Sequence, residues 1–404
     1  MKPWKKMFGL ILLMIGLLST GCASDLQPVK SSNTVKVGLL HSLSGTMAIS
    51  EIPVRDAEKL AIEEINAAGG ILGKQIEFIE EDGLSDQRIF AEKARMLAAT
   101  EKVSAIFGCW TSASRKAVTP IMEQENILLW YPMQYEGMES SKNVVYTGST
   151  MNQQVIPAVN YLLKNGKTRF FLLGSDYIFP HTANRIIKAQ LNALGGECVG
   201  EEYTPLGHAD YTGIIERIKA TRPDVVINTL NGDTNIAFFR QLRSTGISAA
   251  EIPVMSFSLA EIEIQYIGAD NIAGQMTAWS YYETLDNPEN HKFVSSYKKA
   301  YGTARLTSDP AEAAYNAVYL WKAAVEKAKS FDTNDVRAAL ADLKLVSPEG
   351  EVQIDGGNQH LYRRLRIGVI NGNGMIDTVE TTPPIKPDPY LESYEWAKEF
   401  SIKN

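Results

Sequence analysis

The chain has 404 residues, 45% of them hydrophobic, which is enough apolar material for two cored domains rather than one. A net charge of -7 excludes a broad basic field and with it nucleic acid as a partner. Three cysteines are too few for a disulfide framework, and five scattered histidines show no metal-ligand spacing, so neither metal nor other cofactor is expected.

Lys2, Lys5 and Lys6 precede an apolar run from Met7 to Leu18, and small residues follow up to Cys22. Basic, apolar and small in that order predicts a secretory signal over 1–21, too short for a comfortable transmembrane span. A cysteine directly after the small residues resembles the bacterial lipoprotein box, although Ser19 stands where the box usually has Leu. Cys22 is therefore the expected lipidation site and membrane anchor, an ordinary signal peptide with an incidental cysteine being the alternative. Residues 22–33, rich in polar types, are expected to form a tether.

From Thr34 strands and helices alternate. Val35–Leu40 reads as a strand, and a helix follows with Pro53 in its first turn and Gly69-Gly70 as its stop. Lys74–Glu80 is the next strand, and Ser85 caps a helix to about Ala99. Val103–Phe107 is an apolar run of the buried parallel kind, followed by Gly108-Cys-Trp-Thr-Ser112, where Ser112 reads as a helix N-cap. The strand Ile127–Trp130 ends in Tyr131, Met133 and Tyr135. Two strand ends thus open onto one crevice, the place where open parallel sheets bind ligands beside free helix N–H groups. Trp110, Ser112, Tyr131, Met133 and Tyr135 form the expected wall, and Arg115 and Lys116 are expected to point into the helix, away from it.

The rhythm restarts after Ser149, with strands at Arg169–Gly174, Asp224–Thr229 and Pro253–Phe257 whose polar ends form a second crevice. A strand at Gln275–Tyr282 leads to a helical block, around 288–301, 309–329 and 333–342, that would cover the first sheet. Hairpin signals begin at Gly350, and a proline-rich tail follows. The expected fold is α/β with two doubly wound parallel-sheet lobes. The first comprises 34–149 and 278–348, the second 150–277 and 349–390, with a tail at 391–404. Three crossings, near 149, 277 and 348, would form a hinge.

Sharper chemistry is not supported. Gly69-Gly-Ile-Leu-Gly-Lys74 lacks phosphate-loop spacing and runs from helix to strand, so it is a turn. Without a nucleophile elbow or a triad order, an amidohydrolase is disfavoured and the chain is expected not to be an enzyme. Cys109 and Cys198 fall on strands of different lobes and are expected to be buried hydrophobes rather than a disulfide. Glu80, Glu81 and Asp82 read as solvated surface.

The runs GCWTSASRKAV, LLWYPMQYEG, VYTGSTMNQQ, FLLGSDYIFPHTANRIIKAQL, NTLNGDTNIAFF, PVMSFSLAE and IKPDPY, in this order from Val35 to Tyr390, closely resemble the urea-binding proteins of ABC transporters. These belong to the branched-chain amino-acid and amide-sensor group of type I periplasmic binding proteins. The resemblance implies a two-lobed flytrap that closes on urea or a short amide and delivers it to permease subunits. Carried over, the ligand wall falls on Trp110, Ser112, Tyr131 and Met133 in the first lobe and on Tyr177, Asn231, Asp233 and Ser258 in the second. Met133 stands where the related amide sensors have Thr. Urea offers one carbonyl and several N–H groups, so Asp233, Asn231 and tyrosine oxygens are expected as acceptors and the helix N–H groups after Ser112 as donors. A short-chain amide or a branched-chain amino acid is the alternative ligand. A soluble amide sensor is disfavoured by the signal segment.

Overall fold

The computed structural model describes residues 33–400. The expected signal, most of the tether and Cys22 lie outside the described residues. Strand β1 (Thr34–His41), helix α1 (Ala48–Ala67), β2 (Gln75–Asp82), α2 (Gln87–Arg95), β3 (Ala105–Gly108), α3 (Ser112–Glu125), β4 (Leu128–Tyr131) and β5 (Val144–Tyr146) build a five-stranded sheet. Its order is β2-β1-β3-β4-β5 and every pairing is parallel. β3 and β4 are buried along their whole length, which is why they read as continuous apolar runs rather than alternating ones.

After β5 come α4 (Val155–Lys164), β6 (Arg169–Ser175), α5 (Ile178–Leu194), β7 (Glu197–Thr204), α6 (Thr212–Thr221), β8 (Val225–Thr229), α7 (Thr234–Ser244), β9 (Val254–Ser256), α8 (Glu261–Ile267), α9 (Ala269–Ile272) and β10 (Met276–Trp279). Helices α10 (Pro288–Tyr301), α11 (Asp309–Ala328) and α12 (Thr333–Ala339) return to the first sheet, where α11 packs along α1. Then follow β11 (Lys344–Ser347), β12 (Gly350–Ile354), β13 (Leu361–Tyr362), β14 (Arg366–Ile370) and β15 (Ile376–Thr381). The second sheet has the order β15-β14-β10-β9-β8-β6-β7, parallel from β10 to β7 and closed on the other side by the antiparallel pair β14 and β15. Among the described residues no helix is long and apolar enough to cross a membrane.

The third crossing lies later than the sequence predicts. Residues 349–362 were expected with the second sheet, but β12 folds back on β11, pairing Lys344 with Gln353, and carries β13 with it. Val352, Ile354 and Leu361 are then buried in the same core as Leu60 and Trp321 of the first lobe. The chain leaves only at Arg363, and that residue organises the hinge. Arg363 Nη1 donates to the Thr147 carbonyl at 2.6 Å, in the first crossing. Its Nη2 donates to Asp309 at 2.8 Å, and the same carboxylate accepts the N–H groups of Ser280 and Tyr281 in the second crossing. Glu312 and Glu349 complete the ring of carboxylates around this one wholly buried guanidinium. Burial pushes the Glu349 carboxyl up to about 8 against the pull of Arg363. Breaking such a set by removing one partner is costly, because the remaining charges stay buried.

Two local starts differ by one residue from the sequence reading. Asp86, not Ser85, caps α2, its side chain accepting the Arg88 N–H. Ser85 instead accepts the Met47 N–H with its hydroxyl and so steadies the start of α1. Thr111, not Ser112, caps α3, and its hydroxyl accepts the Ser114 N–H at 3.1 Å. Pro53 sits inside α1 rather than at its first turn.

Candidate functional site

The carboxyl ends of β1, β3 and β4 face those of β6, β8 and β9. Gly108 makes the exit from β3 possible. Its φ is +141°, and a Cβ there would meet the Leu40 carbonyl oxygen at 2.1 Å. Cys109 continues in the left-handed region, which delivers Trp110 to the seam between the lobes. There its indole Nε1 donates to Asn231 Oδ1 at 3.2 Å, while its carbonyl accepts the Tyr131 hydroxyl at 2.6 Å. Asn231 is itself fixed by Ser175, whose hydroxyl accepts its N–H, and by the Thr229 carbonyl, which accepts its amide. Met133 is buried. The next residue, Gln134, crosses the seam and donates to Ser258 Oγ and to the Phe257 carbonyl, each at 2.9 Å. That leaves Gln134 Oε1 buried without a partner among the described residues.

A cleft of about 500 Å³ opens beside this seam, a size within the usual range for small-molecule sites. Ser42, Met47, Glu51, Ala113 and Ser114 line it from the first lobe, with Tyr177 and Leu206 from the second. Of the nine residues expected in the ligand wall, Tyr177 is the one that lines this cleft. Trp110, Tyr131, Met133, Asn231 and Ser258 are buried in the seam next to it. Asp233 stands elsewhere. It is exposed, and its carboxylate accepts the Thr46 hydroxyl across the rim of the lobes. Because Thr111 caps α3, the N–H groups of Ser112 and Ala113 have no hydrogen bond among the described residues, while that of Ser114 is taken by the cap.

Ser112 has a second set of partners. Its hydroxyl donates to Glu136 and accepts from Arg115 Nη1 at 3.2 Å. Arg115, expected to point away from the wall, is instead folded back beneath it and wholly buried. Its Nη2 reaches Glu136 at 2.9 Å, its Nε reaches Glu139 at 2.8 Å, and its plane lies over the rings of Tyr131 and Tyr135 at 5.0 and 4.5 Å. Lys116 stays outside and pairs with Glu139. Tyr135 stacks on Tyr146 and meets His360 Nε2 at 2.6 Å. Burial lowers the His360 ring to about 3, so it stays neutral, with Nδ1 2.7 Å from the Asn358 carbonyl; the Tyr135 hydroxyl stands between its Nε2 and the Glu139 carbonyl, 2.9 Å away.

Sequence reasoning missed the acidic floor of the cleft. Glu51 and Glu58 stand seven residues apart on α1, two turns along one face, and His41 ends β1 opposite them. His41 Nε2 lies 2.8 Å from Glu58, and its Nδ1 lies 3.7 Å from Glu51. Burial opposes the charged ring, but the two carboxylates outweigh it and raise its pKa to about 9. Glu51 Oε2 accepts the Ser42 N–H at 2.8 Å. The helical spacing of the two glutamates was visible in the sequence, but their histidine partner was not. Cys109 and Cys198 are free, Cys109 buried and Cys198 half-buried.

With this geometry in hand, comparison decides the family. A family model described as the periplasmic binding protein domain matches residues 35–395. The chain belongs to the periplasmic binding protein family. Leu/Ile/Val-binding protein homolog 6 of Brucella melitensis is 26% identical to this periplasmic binding protein, over 83% of this chain and 87% of its own. Leu/Ile/Val-binding protein BraC3 of Rhizobium johnstonii is 28% identical over 77% of this chain and 84% of its own. Among solved structures, an ABC transporter solute-binding protein from R. palustris in complex with 4-hydroxybenzoate superposes with a TM-score of 0.80 at 26% identity. The match covers 89% of this chain and all of that one (100%). A branched-chain amino acid transporter substrate-binding protein from Streptococcus pneumoniae, in complex with isoleucine, shares the fold at a TM-score of 0.78 and 21% identity, covering 87% and 100% of the two chains. The periplasmic binding protein described here therefore has the type I architecture of two parallel-sheet lobes, and its role is to bind a solute outside the cytoplasm.

Proposed function

We propose that this periplasmic binding protein captures urea or a short-chain amide and hands it to the permease of an ABC transporter. The observation that carries this reading is that Arg115 is held by Ser112 and has its charge balanced by Glu136 and Glu139. Each of its three nitrogens is engaged and two carboxylates already balance its charge, so it offers little to a ligand carboxylate; the buried His41 of the cleft floor is likewise held by Glu51 and Glu58. Arg88, at the mouth of the cleft, is exposed and paired with Asp86. The free N–H groups of Ser112 and Ala113 suit a carbonyl oxygen, and hydroxyl and carboxylate oxygens around the same cleft suit N–H groups.

A branched-chain amino acid is the second reading. The same helix N-terminus would accept a carboxylate, and the curated relatives carry Leu/Ile/Val-binding names. Titration calorimetry with urea, acetamide, formamide, leucine and glutamate separates the two. Urea is expected to bind and leucine and glutamate not to bind; tighter binding of leucine than of urea would replace the first reading by the second. Attachment through a lipidated Cys22 belongs to the same proposal, since two acyl chains give stable anchoring where one is marginal. Cys22→Ala is expected to shift the protein from the membrane to the soluble fraction.

A further inference from the structure

Glu51 is 1% exposed, yet it lines the cleft. Its Oε2 is held by the Ser42 N–H, whereas no hydrogen bond reaches Oε1 among the described residues. That oxygen is open to the cleft, where an N–H group of a ligand can reach it. Behind it, His41 and Glu58 form a buried ion pair, so the floor as a whole carries one negative charge beyond what His41 balances. Opposite stand the unfilled N–H groups of Ser112 and Ala113, contributed by a different element.

We infer that Glu51 is the specificity-determining acceptor of this cleft: its Oε1 pairs with an N–H group of the ligand, and its charge excludes carboxylates that lack one. The inference rests on the reading of this cleft as the solute site, but not on the solute being urea. An amide, a urea or an ammonium-bearing amino acid satisfies Glu51, while an aromatic or aliphatic acid without an N–H group does not. Ser42 and His41 are positioning residues. They set where the carboxylate stands and need not touch the ligand.

The test is calorimetry on the full chain and on Glu51→Gln and Glu51→Asp, with urea, acetamide, leucine, acetate and 4-hydroxybenzoate, after thermal melts have shown each variant folded. Whichever N–H ligand the wild type binds should bind Glu51→Gln roughly 10- to 100-fold more weakly. Glu51→Asp keeps the charge beside His41 but withdraws the oxygen, so it should also lose at least about tenfold, and it serves if the Gln variant does not fold. Binding of leucine rather than urea, weakened by both variants, would support the role of Glu51 and overturn the urea reading. Urea binding unchanged in the variants would overturn the role of Glu51 and leave the urea reading standing. Tight binding of acetate or 4-hydroxybenzoate, or no heat with any ligand, would overturn both.

Discussion

The two faces of the cleft are built from different chemistry. The first lobe brings charges, His41 with Glu51 and Glu58, and Arg115 with Glu136 and Glu139, nearly all buried and each paired within its own lobe. The second lobe brings neutral groups: Asn231 on Ser175, Asn228 between Asn235 and Ser256, and Ser258. Amides and hydroxyls cost little to hydrate when a seam opens, whereas a charge that left its partner at each opening would be paid for in desolvation at each closing. Charges are therefore kept where they never have to part. Two carboxylates of the second lobe reach across, Asp233 at the exposed rim and Glu263 in the buried seam. Glu263 at the start of α8 accepts the Ser50 hydroxyl of the first lobe at 2.5 Å, and burial pushes its carboxyl up, toward the neutral form that a moving seam tolerates.

The largest test of this contrast is Arg115→Ala. It would leave the buried Glu136 without its counter-ion and Glu139 with Lys116 alone, and we expect a loss of about 3–5 kcal/mol in guanidinium unfolding. A loss under about 1 kcal/mol would show that the charged face does not depend on its pairing. Next comes the pH profile. His41 titrates near 9 in the fold and near 6.5 when unfolded, so its contribution is complete below pH 6.5 and is lost as the pH rises through 9, on the order of 3 kcal/mol. His360 has the opposite sign. Its folded value near 3 lies below the unfolded one, so the folded form loses ground as the pH falls from 6.5 toward 3. Unfolding midpoints against pH should keep the alkaline decline in His360→Gln and lose part of it in His41→Gln; an unchanged alkaline limb in His41→Gln would refute the pairing.

Smaller effects should follow on the neutral face. Asn231→Ala removes the acceptor of the Trp110 indole and should cost about 1 kcal/mol in stability, with a change in tryptophan emission. Asp233→Ala touches only the exposed rim bond to Thr46, and ligand affinity should change by less than roughly threefold. A larger drop would return Asp233 to the ligand wall where the sequence placed it.

The parallel core was legible because its strands are short apolar runs between helical periods. Val103–Phe107 and Asp224–Thr229 could hardly be anything else. Cap positions slipped by one because neighbouring residues compete for the role. Thr111 and Ser112 can both accept a helix N–H, and only backbone geometry chooses between them. The third crossing was missed because glycines at 356 and 357 announce a turn without saying which sheet its strands will join. Arg115 was misplaced for a similar reason, since its partners Glu136 and Glu139 lie more than twenty residues away, past β4. The His41 floor was hidden in the same way, its glutamates being presented by a helix whose rotation about the sheet is a tertiary fact.

The ring of carboxylates about Arg363 has a mechanical consequence. All three links between the lobes are fastened to one point, through Thr147, Ser280 and Arg363 itself, so the joint has a pivot rather than three independent straps. Sliding one lobe over the other would shear every bond of that knot, whereas a swing about it strains few. Displacement in a swing grows with distance from the pivot. A partner spanning the far rims of both lobes would thus gauge occupancy as a change in span, without ever touching the solute.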